Sequence, residues 1–275
     1  MKLLLLLTLL SSQLFAQPLE FNKRFVQSED KWVAFQPGDD GIHEFGFIYI
    51  DAQAGLTLQH EGNFTILPSG ALAVKRLDSV NMKVRLEANQ VKVAWIPESK
   101  FRELGIMAIP DWLKYYKTDT NSVARLHKWG FMYNGWGECA KALDYLERAQ
   151  KINPDFEGLG VELAYSYNCL EQYEKAITVL QKALTAAPTD AYTNKELVYA
   201  LLKSGQLDKA AVACKNAITV CTDSQFNMEN CYNLLHSFFL KKDKEQFNAW
   251  KAETRKWCKD NERLMKSIAA MEKEL

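Results

Sequence analysis

Cysteine and histidine are the residue types in this chain with the widest chemistry, because they can form disulfides, bind metals or act in catalysis. The 275-residue sequence has six cysteines: Cys139, Cys169, Cys214, Cys221, Cys231 and Cys258. No two of them form a C-x-x-C motif, so neither a redox-active pair of that kind nor a zinc knuckle is indicated. These cysteines are therefore disulfide partners or buried thiols.

The four histidines do not have the spacing of a metal site or of a catalytic motif. His43 and His60 lie in the first half of the chain, His127 and His236 in the second, and no H-E-x-x-H pair occurs. The sequence also has no G-x-S-x-G elbow, phosphate-binding loop or dinucleotide fingerprint. We therefore expect no catalytic residues, no metal site and no cofactor, and a protein that is not an enzyme.

Composition and charge exclude several classes of protein. The 34 basic residues are balanced by 34 acidic ones, whereas a nucleic-acid coat or a polybasic membrane-surface protein would show a basic excess. A hydrophobic content of 48% and a charged content of 25% are ordinary for a globular protein. We expect no nucleic-acid partner.

Residues 1–16 resemble a signal peptide. Met1-Lys2 precede an apolar run of mostly leucine, which ends at polar Ser11, and Ala16 offers a cleavage site. An uncleaved anchor is the alternative, but the run is shorter than the roughly 20 apolar residues that a membrane span needs. We expect an exported protein, periplasmic or secreted, with no stable membrane insertion after signal removal.

These chemistry-bearing residues must be positioned by two regions with different periodicity. Residues 17–118 show short alternating runs such as Lys83–Leu86, separated by turn signals such as Pro68-Ser69-Gly70. This pattern predicts a small antiparallel β domain of seven or eight strands, whose many aromatic residues fill its core without disulfides. The domain resembles no family that we can identify.

After Thr120 the pattern becomes helical, with a longer period of 34 residues above it. Ala142, Ala176 and Ala210 share this spacing, as do Ala149, Ala183 and Ala217. Pro154 and Pro188 repeat it after the second helix of each unit. Four residues with the same spacing are good helix N-caps and are predicted to begin the first helices: Asn121, Asp155, Thr189 and Asp223.

The columns of this period resemble the tetratricopeptide repeat. The second repeat shows the pattern most fully, with Leu163, Ala164, Tyr167, Tyr173, Ala176, Leu180, Ala183 and Pro188. The resemblance implies about four helix pairs over residues 119–258 and a capping helix over 259–275. The predicted fold class is therefore α+β with two domains: the antiparallel β domain, then an all-α tetratricopeptide-like superhelix.

The resemblance also bears on the cysteines. In the repeat geometry Cys139 begins the second helix of repeat one, and Cys169 ends the first helix of repeat two, so the two thiols could meet. Because disulfides persist in exported compartments, we predict a Cys139–Cys169 bond. Further bonds are possible among Cys214, Cys221, Cys231 and Cys258, which allow three pairings that the sequence does not distinguish.

The family binds partners in a concave groove lined by the first helix of each pair. The 34-residue spacing places Phe131, Tyr165 and Tyr199 on one stripe of that face, and Asn134 and Asn168 on the next. Rings supply contact area and amides bond to a peptide backbone, so we predict a protein or peptide partner. Packing of the rings against neighbouring helices is the alternative.

The predicted function is thus that of an exported, non-catalytic scaffold or adaptor. The alternative function is an enzyme or carbohydrate-binding module in the β domain, with the repeats as a docking handle.

Overall fold

The computed structural model describes residues 18–77 and 82–275, so the predicted signal peptide over residues 1–16 lies outside the described residues. The chain divides into two compact units, the first ending at Thr118 and the second spanning Asp119–Leu275. None of the helices in the described ranges is long and apolar enough to cross a membrane.

The first unit is built on one antiparallel sheet. Its strands are β1 (Lys31–Phe35), β2 (His43–Asp51), β3 (Gly55–Ile66), β4 (Leu72–Arg76), β5 (Lys83–Arg85) and β6 (Val93–Trp95). The sheet order is β4-β3-β2-β1-β6, and β5 pairs with the first part of β3. Gly46 lies at a bulge in β2, where a β-carbon would come within 2.3 Å of the Gln59 carbonyl oxygen.

The prediction of seven or eight strands was wrong, because the described residues form six. The segment around Phe21 makes only an isolated bridge between Lys23 and Val93. The chain then forms a single turn of 3-10 helix, Phe25–Ser28, which buries Phe25 and Val26. The segment buries its apolar side chains from this turn and adds no strand to the sheet.

Aromatic side chains fill the core of this unit, as predicted. Trp32, Phe45, Phe47, Tyr49 and Phe64 are buried against Ile96, Leu104 and Leu113. These last three come from the segment after β6, which contains the 3-10 helices Glu98–Lys100 and Asp111–Tyr116 and the short helix α1 (Phe101–Leu104). The Trp32 indole N–H donates to the Met107 carbonyl oxygen at 2.8 Å, which ties that segment to the sheet.

The second unit consists of paired helices. The first helices of successive repeats are α2 (Val123–Gly135), α4 (Leu159–Cys169), α6 (Ala191–Lys203) and α8 (Asn227–Leu240). The second helices are α3 (Cys139–Ile152), α5 (Tyr173–Ala186), α7 (Leu207–Val220) and α9 (Lys244–Cys258). The last helix, α10 (Glu262–Glu274), buries Ile268 and Met271.

Small residues let the helices of each pair approach closely. Ala142, Ala176 and Ala210 are completely buried, and so are Leu146 and Leu180 beside them. In the first pair Gly130 is the closest point, since a β-carbon there would lie 2.3 Å from the Leu146 side chain. The predicted fold class, an antiparallel β domain followed by helical repeats, is confirmed.

The predicted N-caps were wrong by one to three residues. The first helices are capped by Ser122, Gly158, Asp190 and Phe226. The predicted residues make other contacts: Asn121 accepts from Arg148, and Asp223 accepts from the Gln225 backbone N–H. A 34-residue spacing of polar residues therefore marks the loop before each helix rather than its exact first turn.

The packed alanine of the second repeat gives a direct test of the seam. Replacing Ala176, which is completely buried, by leucine should lower the free energy of unfolding by about 1–3 kcal/mol, because the larger side chain overpacks the seam. Urea unfolding followed by circular dichroism measures the change. Val212→Leu, at a position 71% exposed on α7, is the matched control and should have no effect. An unchanged midpoint for Ala176→Leu would contradict the packing described here.

Candidate functional site

The candidate site is the set of side chains carried by the first helices α2, α4 and α6. These helices pack side by side in chain order, α2 against α4 and α4 against α6. Phe131 on α2 is 60% exposed, and Tyr165 and Tyr199, at the equivalent positions of α4 and α6, are half-buried. The three predicted rings therefore have solvent-accessible surface, one ring in each of three consecutive repeats.

The two predicted amides are not at that surface. Asn134 is buried, and its side-chain N–H group donates to the Glu162 carboxylate at 2.9 Å and to the Glu162 carbonyl oxygen at 3.0 Å. Asn168 does the same one repeat later, donating to the Glu196 carboxylate at 2.8 Å and to its carbonyl oxygen at 3.3 Å. The amide hydrogens of both residues are thus used to join neighbouring first helices, and not to meet a partner.

These contacts form a polar ladder, which we define as Asn134–Glu162 and Asn168–Glu196. Each asparagine lies 28 residues before its glutamate, and the two rungs are 34 residues apart. The asparagine and the glutamate each recur after 34 residues, and this recurrence is a signal visible in the sequence. This signal does not by itself predict the ladder, because an amide that faces a groove and one that faces a helix have the same spacing.

The second rung of the ladder is incompletely satisfied. In the first rung the Ser166 hydroxyl donates to Asn134 Oδ1 at 2.7 Å. The residue 34 positions after Ser166 is Ala200, which has no hydroxyl. Asn168 Oδ1 is buried and, among the described residues, has no hydrogen-bond partner. An unsatisfied buried acceptor reduces stability, so the second rung should be the weaker one.

Buried carboxylates set the electrostatics between α4 and α6. Burial raises the pKa of Glu162 above its usual range, the Asn134 hydrogen bond lowers it, and the charge of Glu196 raises it further. Burial also raises the pKa of Tyr192, and the charges of Glu196 and Glu162 add to that shift. The side chain of Tyr192 therefore stays a neutral phenol beside the ladder.

One lysine compensates the second carboxylate. Lys195 Nζ lies 2.9 Å from Glu196 Oε1 and 3.7 Å from Glu229 Oε1. Burial lowers the pKa of Lys195, but its hydrogen bond to Glu196 and the charges of Glu196 and Glu229 outweigh this and raise it. Lys195 is therefore a cation at neutral pH, and it pairs with Glu196 and Glu229. The other carboxylate of the ladder, Glu162, has no ion pair with a lysine or arginine among the described residues.

The structure joins Cys139 and Cys169 in a disulfide. The bond connects the start of α3 to the end of α4, and so links the second helix of one repeat to the first helix of the next. The remaining four cysteines of the described chain are free thiols: Cys214, Cys231 and Cys258 are buried, and Cys221 is half-buried.

The histidines of the first unit have structural surroundings. The His43 ring is stacked between Phe21 and Phe64, with centroid distances of 5.7 and 5.0 Å, and its Nδ1 lies 2.9 Å from the Phe35 carbonyl oxygen. His60 pairs with Glu44. In the described part of the chain no group of three or more His, Cys, Asp or Glu side chains could hold a metal ion.

Two depressions lie on the first unit. One, of about 440 Å³, is lined mainly by apolar side chains that include Phe21, Phe64 and Leu72, with Lys100 at its edge. The other, of about 480 Å³, is lined by Gln59, Lys83, Trp112, Tyr115 and Tyr116. Lys100 is bonded to Glu103 and to the Gly70 carbonyl oxygen, and Lys83 to the Tyr116 hydroxyl. The cations of both depressions are therefore held by the unit itself.

Comparison with known proteins identifies the repeats. Residues 161–190, which cover most of α4 and α5, match the model of the tetratricopeptide repeat. The predicted resemblance to the tetratricopeptide repeat is therefore confirmed. The chain has no match among curated protein sequences.

The solved structures that the chain matches have low identity to it. YrrB, described as a TPR protein with an unusual peptide-binding site, is 19% identical, with 57% of this chain and 77% of that one covered and a TM-score of 0.48. MamA from Desulfovibrio magneticus RS-1, from residue 41 to its end, is 19% identical, with coverages of 60% and 87% and a TM-score of 0.47. MamA of AMB-1 is 20% identical, with coverages of 52% and 76% and a TM-score of 0.44.

The unsatisfied rung predicts a stabilising substitution. Ala200→Ser places a hydroxyl where Ser166 stands in the first rung, and should raise the free energy of unfolding by about 0.5–1 kcal/mol by satisfying Asn168 Oδ1. Urea unfolding measures the gain, and the same substitution in an Asn168→Ala background is the control. A gain of equal size in both backgrounds would show that the hydroxyl does not act through Asn168.

Ionisation of Glu162 predicts a pH-dependent effect. Because its folded pKa is raised above the unfolded value, this group binds more protons in the folded state, and its ionisation lowers stability as pH rises through the folded pKa. Glu162→Gln keeps an oxygen for Asn134 to donate to, and removes the charge.

The variant should therefore be more stable than the parent at pH 7, and the difference should shrink as pH falls through the raised folded pKa, until at about pH 4 the carboxyl group is protonated in the folded parent as well. Urea unfolding at both pH values gives the comparison. Glu274→Gln, in the exposed last turn of α10, is the control. A difference in stability between Glu162→Gln and the parent that is the same at both pH values would contradict the assignment of a buried charge.

Proposed function

We propose that this chain, whose second unit carries tetratricopeptide repeats, is an exported, non-catalytic scaffold that binds a protein or peptide through the concave face of those repeats. The observation that carries the proposal is the row of rings Phe131, Tyr165 and Tyr199, one on each of three consecutive first helices. We call these three residues the ring row. Their spacing follows the repeat, so a single extended segment can contact all three.

The partly exposed state of the ring row supports a binding role. A ring whose purpose is packing is normally buried, as Tyr133 is in α2. Phe131 instead leaves 60% of its surface exposed, and Tyr165 and Tyr199 are half-buried. Aromatic side chains held on rigid helices provide contact area with little loss of conformational entropy, and are frequent in interface centres.

The groups beside the ring row suit positioning more than catalysis. Glu162 and Glu196 are buried and accept hydrogen bonds from asparagines, and Lys195 is paired with two glutamates. Side chains held in such bonds give the neighbouring rings fixed surroundings. This arrangement supports a scaffold that presents a shaped surface, with no general acid and base facing each other.

Export is supported by the leader-like residues 1–16 and by the Cys139–Cys169 bond. Disulfides form and persist in oxidising compartments such as the periplasm and the extracellular space. A periplasmic or secreted location accounts for both observations.

Binding through the ring row can be tested with a displayed library of random peptides selected on the full chain from residue 17. Selected peptides should bind the Tyr165→Ala, Tyr199→Ala double variant at least tenfold more weakly, because truncating an anchoring ring costs more than about 1 kcal/mol at each position. Fluorescence polarisation of labelled peptides gives the dissociation constants, and circular dichroism verifies that the variant is folded.

The matched control is Val212→Ala, which removes an exposed apolar side chain from the second helix α7. Its affinity for the same peptides should equal that of the parent. Peptides that bind the double variant as tightly as the parent would place the binding surface elsewhere, and return the two tyrosines to a packing role.

A further inference from the structure

Two of the free thiols are in contact inside the second unit. Cys214 on α7 and Cys231 on α8 have sulfur atoms 4.0 Å apart. Both side chains are completely buried, with no exposed surface. A disulfide has a sulfur–sulfur distance of about 2.05 Å, so a shortening of about 2 Å would complete the bond.

The surroundings hold this pair of sulfurs together. The Cys231 carbonyl oxygen accepts from the Thr254 hydroxyl of α9 at 3.3 Å, and Thr254 is itself buried. Leu234, Leu235 and Phe238, on the helix of Cys231, are buried as well. Cys231 is therefore fixed from the side of α9 while its sulfur faces α7.

We infer that Cys214 and Cys231 form a second structural disulfide in the functional protein. The inference rests on the proposed export only for the source of the oxidant, and not on the peptide-binding role. Cys221 and Cys258 then remain as free thiols, one half-buried and one buried. Among the bonds that the sequence left open for these four cysteines, the sulfur contact selects Cys214–Cys231.

The chemistry is thiol–disulfide exchange with a disulfide of small-molecule or oxidoreductase type. The thiolate of Cys214 or Cys231 attacks the oxidant's disulfide, which breaks, and one thiol leaves. The other cysteine then attacks the mixed disulfide, forms the Cys214–Cys231 bond and releases the second thiol. Two electrons and two protons pass from the cysteines to the oxidant, whose disulfide ends as two thiols.

Burial determines when this exchange occurs. In the folded repeats neither sulfur is accessible to an oxidant, so the bond must form while the chain is folding. Once formed it is protected from reductants for the same reason. Oxidation should therefore be fast during refolding and slow in the folded, reduced protein.

The position of the bond matches that of the first disulfide. Cys139–Cys169 joins the second helix of repeat one to the first helix of repeat two, and Cys214–Cys231 would join α7 to α8, the equivalent helices of repeats three and four. The two pairs are not related by the 34-residue spacing, so their cysteines occupy different positions within the same type of junction. The middle junction, between α5 and α6, has no cysteine on either helix.

The test is the refolding of the reduced, purified chain from residue 17 in a glutathione buffer, followed by alkylation and non-reducing peptide mapping. The expected result is two linked peptide pairs, Cys139–Cys169 and Cys214–Cys231, with Cys221 and Cys258 alkylated. Because the experiment uses an added oxidant and no partner, it gives its answer whether or not export or peptide binding is correct.

Cys214→Ser and Cys231→Ser should each leave the other cysteine alkylated and lower the urea midpoint of the oxidised protein. Cys221→Ser is the matched control and should leave both bonds intact. Since a buried serine could disturb folding, the parent protein folded under reducing conditions provides a second comparison: it should incorporate the Cys214–Cys231 bond more slowly than the refolding chain by tenfold or more.

Recovery of both Cys214 and Cys231 as alkylated thiols, from protein that has formed the Cys139–Cys169 bond, would overturn the inference. A bond of either residue to Cys258 or Cys221 would do so as well.

Discussion

The second unit depends on the close approach of its paired helices at Ala142, Ala176 and Ala210. Each of these residues is completely buried, and a larger side chain would push the two helices of its repeat apart. A single helix pair exposes its other apolar face, so each repeat requires a neighbour to cover it. Because the alanines pack in the same way in each repeat, the repeats have similar shapes and stack through similar junctions. Every feature of the candidate site follows from that stacking, because the first helices α2, α4 and α6 can form a continuous row only if their partners keep the same distance.

Polar groups between the first helices are permitted by the same stacking. The ladder places an amide of one first helix beside a glutamate of the next, where both are buried and bonded. Burying a carboxylate is unfavourable unless hydrogen bonds compensate it, so the ladder holds the two helices at one register. A fixed register matters for the ring row, whose members come from three different helices. In the proposed function, the buried asparagines would act on recognition indirectly, through the spacing of Phe131, Tyr165 and Tyr199.

The 34-residue period predicted the helix pairs, the alanine seams and the helix ends that carry Cys139 and Cys169, since those properties depend on residue size and position along the chain. It did not distinguish an amide that faces the groove from one that faces a helix, as the burial of Asn134 and Asn168 shows. That distinction depends on side-chain direction and on a glutamate 28 residues later. Helix starts were predicted one to three residues early, because loop residues such as Asp223 share the polar character of N-caps. In the first unit, alternation identified β5, whereas the segment before Trp32 formed an isolated bridge and a single 3-10 turn. The conformation of that segment depends on which of its apolar side chains pack against the sheet. This is a property of tertiary packing and not of the periodicity of the sequence.

The junctions between repeats are not equivalent, and the difference bears on where a partner would act. The first junction is closed by Cys139–Cys169, and the third has Cys214 and Cys231 in contact. The second junction has no cysteine on α5 or α6, and it holds the rung in which Asn168 Oδ1 lacks a partner among the described residues. In a nearest-neighbour array, stability is a sum of repeat and junction contributions, so the second junction is the one most open to stabilisation. Tyr165 and Tyr199 lie on its two sides. A ligand that contacts both rings spans this junction, and since binding to the folded state stabilises it, such a ligand would strengthen the array at the junction that has neither a cysteine pair nor a fully satisfied rung.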